Sequence, residues 1–256
     1  MKVAIDLNSL QTDLRKIPKY KELDKRISRF ASAISFQADL ESVQTSLTAL
    51  SEIDANGAVD SRRALGSALM THALTMYCRA SIEDGNGRFK IGVTKDYSAE
   101  QMRKHKEVVK LRNKTFAHFD VGQGEYGTQW GREAVVFKST DSNSNIIAIV
   151  RRSNYIARLV FDLSDLCEVA LMTCKNKVQQ VKAELNSLFF SMADQDQNLV
   201  QMMQNHVFRP SEFFDHPDAD EWFWQGGVGM EVYAKKLVTD DDSFLLNPSV
   251  MTPFRG

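Results

Sequence analysis

Arg112 and Asn113 stand side by side, and His118 follows after four further residues. Arginine is a permanent cation that grips phosphate in a bidentate fashion, asparagine adds a neutral donor, and histidine exchanges a proton near neutral pH. Together these three types suit phosphodiester chemistry. RNA carries its own nucleophile, so an enzyme needs only to take the 2′-hydroxyl proton, align that oxygen with the phosphorus and stabilise charge on the phosphoryl oxygens. Such a reaction requires no metal or cofactor, and none is expected. The spacing sets a geometric condition. On a straight α-helix, positions six apart point roughly 120° away from each other, so Arg112 and His118 cannot share one substrate atom from a single face. Either the helix ends or distorts near Ala117, which Gly122 and Gly124 favour, or a second copy approaches across a symmetric dimer.

The charge pattern bears on the same segment. The chain has 256 residues with 32 Lys and Arg against 33 Asp and Glu, a net charge of −1, which excludes bulk attraction to nucleic acid or anionic membrane. Between Lys90 and Lys114, however, eight cations stand against three acids, Asp96, Glu100 and Glu107. Lys104, Lys110 and Lys114 in this basic stretch are candidate RNA contacts, although Lys104, Lys106 and Lys110 each read more simply as part of a solvated face. Arg79 is a fourth candidate, for which an ion pair with Glu83, four residues on, is the more economical explanation.

The elements that must position these residues are mostly long helices. After Pro18, apolar residues recur at Leu23, Ile27, Phe30 and Ile34, then at Leu40, Val43, Leu47 and Leu50, with no Gly or Pro before Gly57, which predicts one long helix. A second begins near Asp60 with Leu65, Leu69, Ala73, Met76 and Ala80 on its apolar face. Ser98 followed by Gln101 forms a capping box for a third helix that runs to about Phe116. The period then changes from 3.6 to 2: residues 134–138 and 146–150 flank the polar turn 141–145 and predict a β-hairpin. A fourth long helix, from about Tyr155 to Met192, carries Leu159, Leu163, Leu166, Ala170, Thr173, Val178, Val181 and Leu185. The fold class is therefore mainly α: an up-down bundle of about four long helices with a hairpin insertion over residues 1–193. Residues 194–256 hold four of the five prolines, eleven acids against four cations, and Trp222-Phe223-Trp224. They read as a partly irregular C-terminal extension docked through its aromatics.

RNKTFAH at 112–118, set among long helices, resembles the motif of the HEPN superfamily of all-helical domains. LRNKTFAHFD is similar to the form that motif takes in many bacterial members. The resemblance implies a helical bundle that dimerises so that two motifs face one cleft, and a metal-independent endoribonuclease acting on single-stranded RNA, often a toxin with a cognate antitoxin protein or a phage-defence component. It assigns Arg112 to the scissile phosphate, Asn113 to positioning it, and His118 to proton transfer at the 2′-hydroxyl. Other members are noncatalytic RNA-binding or regulatory modules, which is the alternative reading. The hairpin and the acidic extension have no counterpart in a minimal bundle of that family.

Plainer readings stand beside the sharp one. Arg and His near a helix end also neutralise the helix dipole, and on spacing alone that is the simpler explanation. His72, among apolar residues, reads as a satisfied core histidine, and His105 as a surface residue. Cys78, Cys167 and Cys174 are too few and too scattered for a disulfide framework or a zinc site. They suggest packing residues in a reducing compartment, with the cytoplasm as the expected location. No run of about 18 apolar residues occurs, so no membrane-spanning helix is expected. Gly226-Gly-Val-Gly229 lacks the context of a phosphate loop, the acids around His216 match no calcium loop, and Asp240-Asp-Asp242 reads as a solvated run.

Overall fold

A computed structural model describes residues 2–56, 59–83, 87–116, 124–140, 143–153 and 155–225. In chain order its elements are α1 (Leu7–Leu14), a 3-10 turn (Pro18–Tyr20), α2 (Lys21–Asn56), α3 (Val59–Ser81), α4 (Ala99–Leu111), a π turn (Arg112–Phe116), α5 (Gly124–Trp130), β1 (Gly131–Thr140), β2 (Asn143–Arg152), α6 (Ala157–Gln195), α7 (Gln197–Gln204), α8 (Pro210–Phe214) and α9 (Ala219–Gln225). The protein is mainly helical with one antiparallel hairpin, as the periodicity predicts. It divides into two compact units, Pro18–Ser191 and a second drawn from both ends of the chain, Met1–Ile17 with Met192–Gly256. Among the described residues no helix is long and apolar enough to cross a membrane.

The larger unit is built on a seam of alternating three- and four-residue steps. On α2, Ala33, Phe36, Leu40, Val43, Leu47 and Leu50 are buried, the 3.5-residue repeat that keeps one stripe against a neighbouring helix. On α6 the eight positions expected from the sequence are all buried. Small side chains let the two helices approach closely: the thiol of Cys167 donates to the Leu40 carbonyl at 3.3 Å and that of Cys174 to the Ala33 carbonyl at 3.5 Å. Burial pushes both thiols up to about 12, so they act as packing groups. Further along, Arg26 of α2 pairs with Glu184 of α6. Falling α2 numbers thus meet rising α6 numbers, so the helices run antiparallel. Ser46 with His72 and Asp39 with Arg79 show the same for α2 and α3.

Two apolar faces differ from the expectation. Phe30 and Ile34 are only partly buried, because Ala33 and Phe36 take the seam. On α3 the buried hydrophobic residues are Met70, Ala73, Leu74, Tyr77, Cys78 and Ala80, so the expected Ala73 and Ala80 are in the core, while Leu65 is exposed and Leu69 and Met76 are partly buried. His72 is correspondingly on the exposed side of α3, its Nδ1 2.8 Å from Ser46 Oγ. It is not a core histidine.

In the smaller unit the N-terminal segment and the start of the extension hold each other. Ile5 and Val207 form an antiparallel bridge, the Asp6 amide donates to the His206 carbonyl at 2.8 Å, and that of Phe208 donates to the Ala4 carbonyl at 2.9 Å. His206 spans Ser9 Oγ at 2.7 Å and Asp13 Oδ2 at 3.0 Å. Phe223 packs on Phe208 and Trp224, with ring centroids 5.5 and 4.9 Å apart, contacts made within this segment itself. Gly226-Gly-Val-Gly229 and Asp240-Asp-Asp242 lie outside the described residues.

Candidate functional site

The third helix begins as its sequence dictates. Ser98 Oγ accepts from the Gln101 amide at 3.2 Å and Gln101 Oε1 accepts from the Ser98 amide at 3.0 Å, a complete capping box. Regular α-helix stops at Leu111, and the next five residues, Arg112–Phe116, form a π turn. Single π turns inside helices occur frequently at functional sites. Regular α-helix is therefore lost from Arg112 onward, ahead of Ala117, where the spacing argument places an end or distortion.

His118 lies outside the described residues, between Phe116 and Gly124. On the far side Gly124, with φ +80°, opens α5 against α4: a Cβ there would stand 2.9 Å from Glu107 Oε2. Glycine takes that left-handed backbone without strain, and any Cβ there would have to displace the Glu107 carboxylate. The same Glu107 oxygen accepts from the Glu125 amide at 2.9 Å.

Arg112 is half-buried, and its Nη1 donates to Asn113 Oδ1 at 3.0 Å. With Asn113 Oδ1 turned to the guanidinium, the amide nitrogen of Asn113 is left to donate elsewhere. No carboxylate pairs with Arg112 among the described residues. Its charge acts on Cys78 of α3, whose thiol burial pushes up to about 12 against the pull of that cation. A cation at the C-terminus of α4 also complements the helix dipole, so Arg112 has a structural role even without substrate.

His105 is not the surface residue that its sequence context suggests. It precedes Arg112 by seven positions and so lies within about 20° of the same helix face. Its Nδ1 is 2.9 Å from Tyr77 Oη, which is 3.0 Å from Tyr97 Oη, and Tyr97 Oη donates to the Leu166 carbonyl at 2.9 Å. Both tyrosine rings stand edge-on to the imidazole. The proton order follows from this chain. Tyr97 uses its only proton on Leu166, so Tyr77 must donate to Tyr97, and His105 must donate from Nδ1 to Tyr77. The neutral ring therefore keeps an unprotonated Nε2. Burial, with help from Lys106, holds its pKa below the ordinary 6.5. His105 is a half-buried base that its sequence context did not single out; its seven-residue spacing from Arg112 was the available signal.

The surrounding cations divide into paired and open ones. Lys104 Nζ sits 2.7 Å from Asp162 Oδ1 and 3.8 Å from Asp165 Oδ2, so it ties α4 to α6 rather than standing as a solvated contact. Arg103 pairs with Glu100 at 2.8 Å and Glu125 at 2.9 Å. Arg79 also departs from expectation. It binds Asp39, with Nε 2.9 Å from Oδ2, rather than Glu83, while Glu83 Oε1 accepts from the amides of Ile91 and Gly92 at 2.6 and 3.0 Å. Arg88 holds the same Asp39 oxygen at 2.8 Å. Lys106, Lys110 and Lys114 are exposed, and among the described residues no ion pair holds Lys106 or Lys110. The basic patch is thus narrower than its sequence and lies along the Lys106, Lys110 and Arg112 end of α4.

Among the described residues no group of three or more His, Cys, Asp or Glu side chains is arranged to hold a metal ion. Compared with protein-family profiles, with curated proteins and with solved structures, the chain matches none of them.

Proposed function

We propose that this protein is a HEPN-like, metal-independent endoribonuclease that cleaves single-stranded RNA through attack of the substrate's own 2′-hydroxyl, acting in the cytoplasm as a homodimer. The observation that supports it best is the π turn bearing Arg112 and Asn113, with a guanidinium unpaired by carboxylates among the described residues and an asparagine amide left to donate. Arg112 grips the scissile phosphate and offsets charge on its oxygens, while Asn113 fixes its orientation. His118 takes the 2′-hydroxyl proton; the O2′–P bond forms as the P–O5′ bond breaks, and O5′ leaves with a proton. The products are a 2′,3′-cyclic phosphate and a 5′-hydroxyl. A positioned general base gives about 10²–10⁴-fold, and a charge-stabilising donor about 10²–10³-fold. A toxin or phage-defence role, with an antitoxin protein as partner, belongs to the same reading.

The second reading, a noncatalytic RNA-binding or interaction module, is favoured by the ion pairs that occupy Lys104 and Arg79. Incubation of labelled single-stranded RNA with wild-type and His118→Ala protein separates the two. Cleavage by the wild type alone is expected. Equal cleavage by both, or by neither, overturns the catalytic reading.

A further inference from the structure

The hairpin of β1 and β2 carries an apolar surface that is exposed among the described residues. Its register pairs Glu133 with Val150, Val135 with Ala148, Phe137 with Ile146 and Ser139 with Ser144, and side chains alternate between faces along each strand. One face therefore holds Val135, Phe137, Ile146, Ala148 and Val150. The two serines close its tip end, with their Oγ atoms 2.8 Å apart, and two residues of opposite charge, Glu133 and Arg152, take register positions on this face at its base. Val135 is 79% exposed, Ile146 68%, Phe137 67% and Val150 57%. The cations Arg132, Lys138 and Arg151 alternate onto the opposite face. Among the described residues the sheet has two strands, and an isolated two-stranded hairpin is marginally stable in water without a covering layer.

We infer that this face is an interface with a second copy of the same chain, hairpin packed on hairpin about a twofold axis. Three features select that occupant. A face whose two charged positions, Glu133 and Arg152, cancel does not draw RNA or an anionic lipid surface, and the opposite face, with Arg132, Lys138 and Arg151, would attract either instead. The pattern is self-complementary: a twofold arrangement places the Glu133 end of one hairpin over the serine end of the other, which keeps the two carboxylates apart. The area is also of the right order. At roughly 150–200 Å² per residue, the four most exposed side chains offer about 450 Å² per copy, or about 900 Å² for the pair. Ala148 and the strand backbones bring this toward the roughly 1,200 Å² at which specific interfaces begin. Two such sheets stack about 10 Å apart with interdigitated side chains.

This surface is distinct from the cleft in which the ribonuclease reading joins two motifs, and it does not rest on that reading. The test is analytical ultracentrifugation of the full chain over a concentration series, wild type against Phe137→Ser with Ile146→Ser. Both positions are exposed, so helical circular dichroism should not change. A concentration-dependent wild-type association through the hairpin is expected, to a dimer or, where the motif cleft already pairs two chains, from dimer to tetramer, with the dissociation constant of that step raised at least about thirtyfold in the variant. A second variant needs no loss of folding: Ala148→Cys places a thiol at the centre of the face, whereas Cys78, Cys167 and Cys174 are buried. It should form a disulfide-linked dimer under mild oxidation. A wild type that stays monomeric at 100-fold dilution and at the highest soluble concentration alike overturns the inference. So does a serine variant with unchanged association, or a monomer that instead partitions onto lipid vesicles. RNA cleavage measured on the same samples tests the catalytic reading separately.

Discussion

Replacing Asp39 by alanine probes the charge cluster that removes Arg79 from the candidate RNA contacts. The Asp39 side chain is 4% exposed, that of Arg88 14% and that of Arg79 54%. Arg88 lies over the Phe36 ring at 4.0 Å and also donates to Ser35 Oγ at 3.1 Å, so it cannot follow its charge into water without unpacking. Asp39→Ala takes the carboxylate from a nearly buried guanidinium, which costs about 3–5 kcal/mol. Arg79→Ala removes an arginine more than half in water, whose pairing is screened, and costs about 1 kcal/mol or less. Urea unfolding followed by far-UV circular dichroism measures both. The reasoning fails if Asp39→Ala costs under about 1 kcal/mol, or if Arg79→Ala costs as much as Asp39→Ala. In RNA binding, Arg79→Ala should stay within about twofold of wild type. A tenfold loss, worth about 1.4 kcal/mol, with stability intact would restore Arg79 as a phosphate contact.

Asp162 faces two opposed influences: burial raises its pKa, and hydrogen bonds from Lys104 and from Tyr126 Oη, the latter at 2.7 Å, lower it further than burial raises it. A carboxyl held below its ordinary 3.8 in the folded state contributes stability that is present above that value and is lost as pH falls through the folded pKa. Asp162→Ala should flatten that acid limb in a urea-midpoint series and cost about 2–4 kcal/mol at neutral pH, chiefly by orphaning the buried Tyr126 hydroxyl. His105, also lowered, adds a separate limb. Stability should decline as pH drops from 6.5 toward its folded pKa and then level off, an effect absent from His105→Gln. Nitrogen NMR of wild type above that range should show protonated Nδ1 and bare Nε2; the opposite tautomer contradicts the Tyr77–Tyr97–Leu166 order. Gly124→Ala should cost about 1–3 kcal/mol, from left-handed strain and displacement of Glu107. An unchanged thermal midpoint would show that the α4–α5 approach is not tight.

Much of the fold was legible because it rests on periodicity. All eight expected core positions of α6 are buried, since an uninterrupted helix with one apolar stripe has a single face to hide. The hairpin was visible through its period-2 runs, and its strands extend to residues 131–140 and 143–152. The errors share a cause: a sequence shows neighbours three or four residues away more readily than distant ones. Arg79 was matched to Glu83, but its carboxylate is Asp39, 40 positions earlier. Lys104 looked solvated because Asp162 comes from another helix. His105 looked exposed because the rings that bury it come from α3 and from the segment before α4. Nothing in the types Arg112–Phe116 distinguishes a π turn from continued α-helix, so only the demand that Arg112 and His118 converge hinted at distortion.

The chemistry of the cut RNA ends tests the ribonuclease reading most directly. Wild-type and His118→Ala protein are incubated with 5′-labelled single-stranded RNA in excess chelator, and the 3′ ends are resolved before and after acid opening of cyclic phosphates. Wild-type fragments ending in a 2′,3′-cyclic phosphate, and none from the variant, are expected. Fragments ending in a 3′-hydroxyl, cleavage that vanishes with chelator, or cyclic ends persisting with His118→Ala would contradict it.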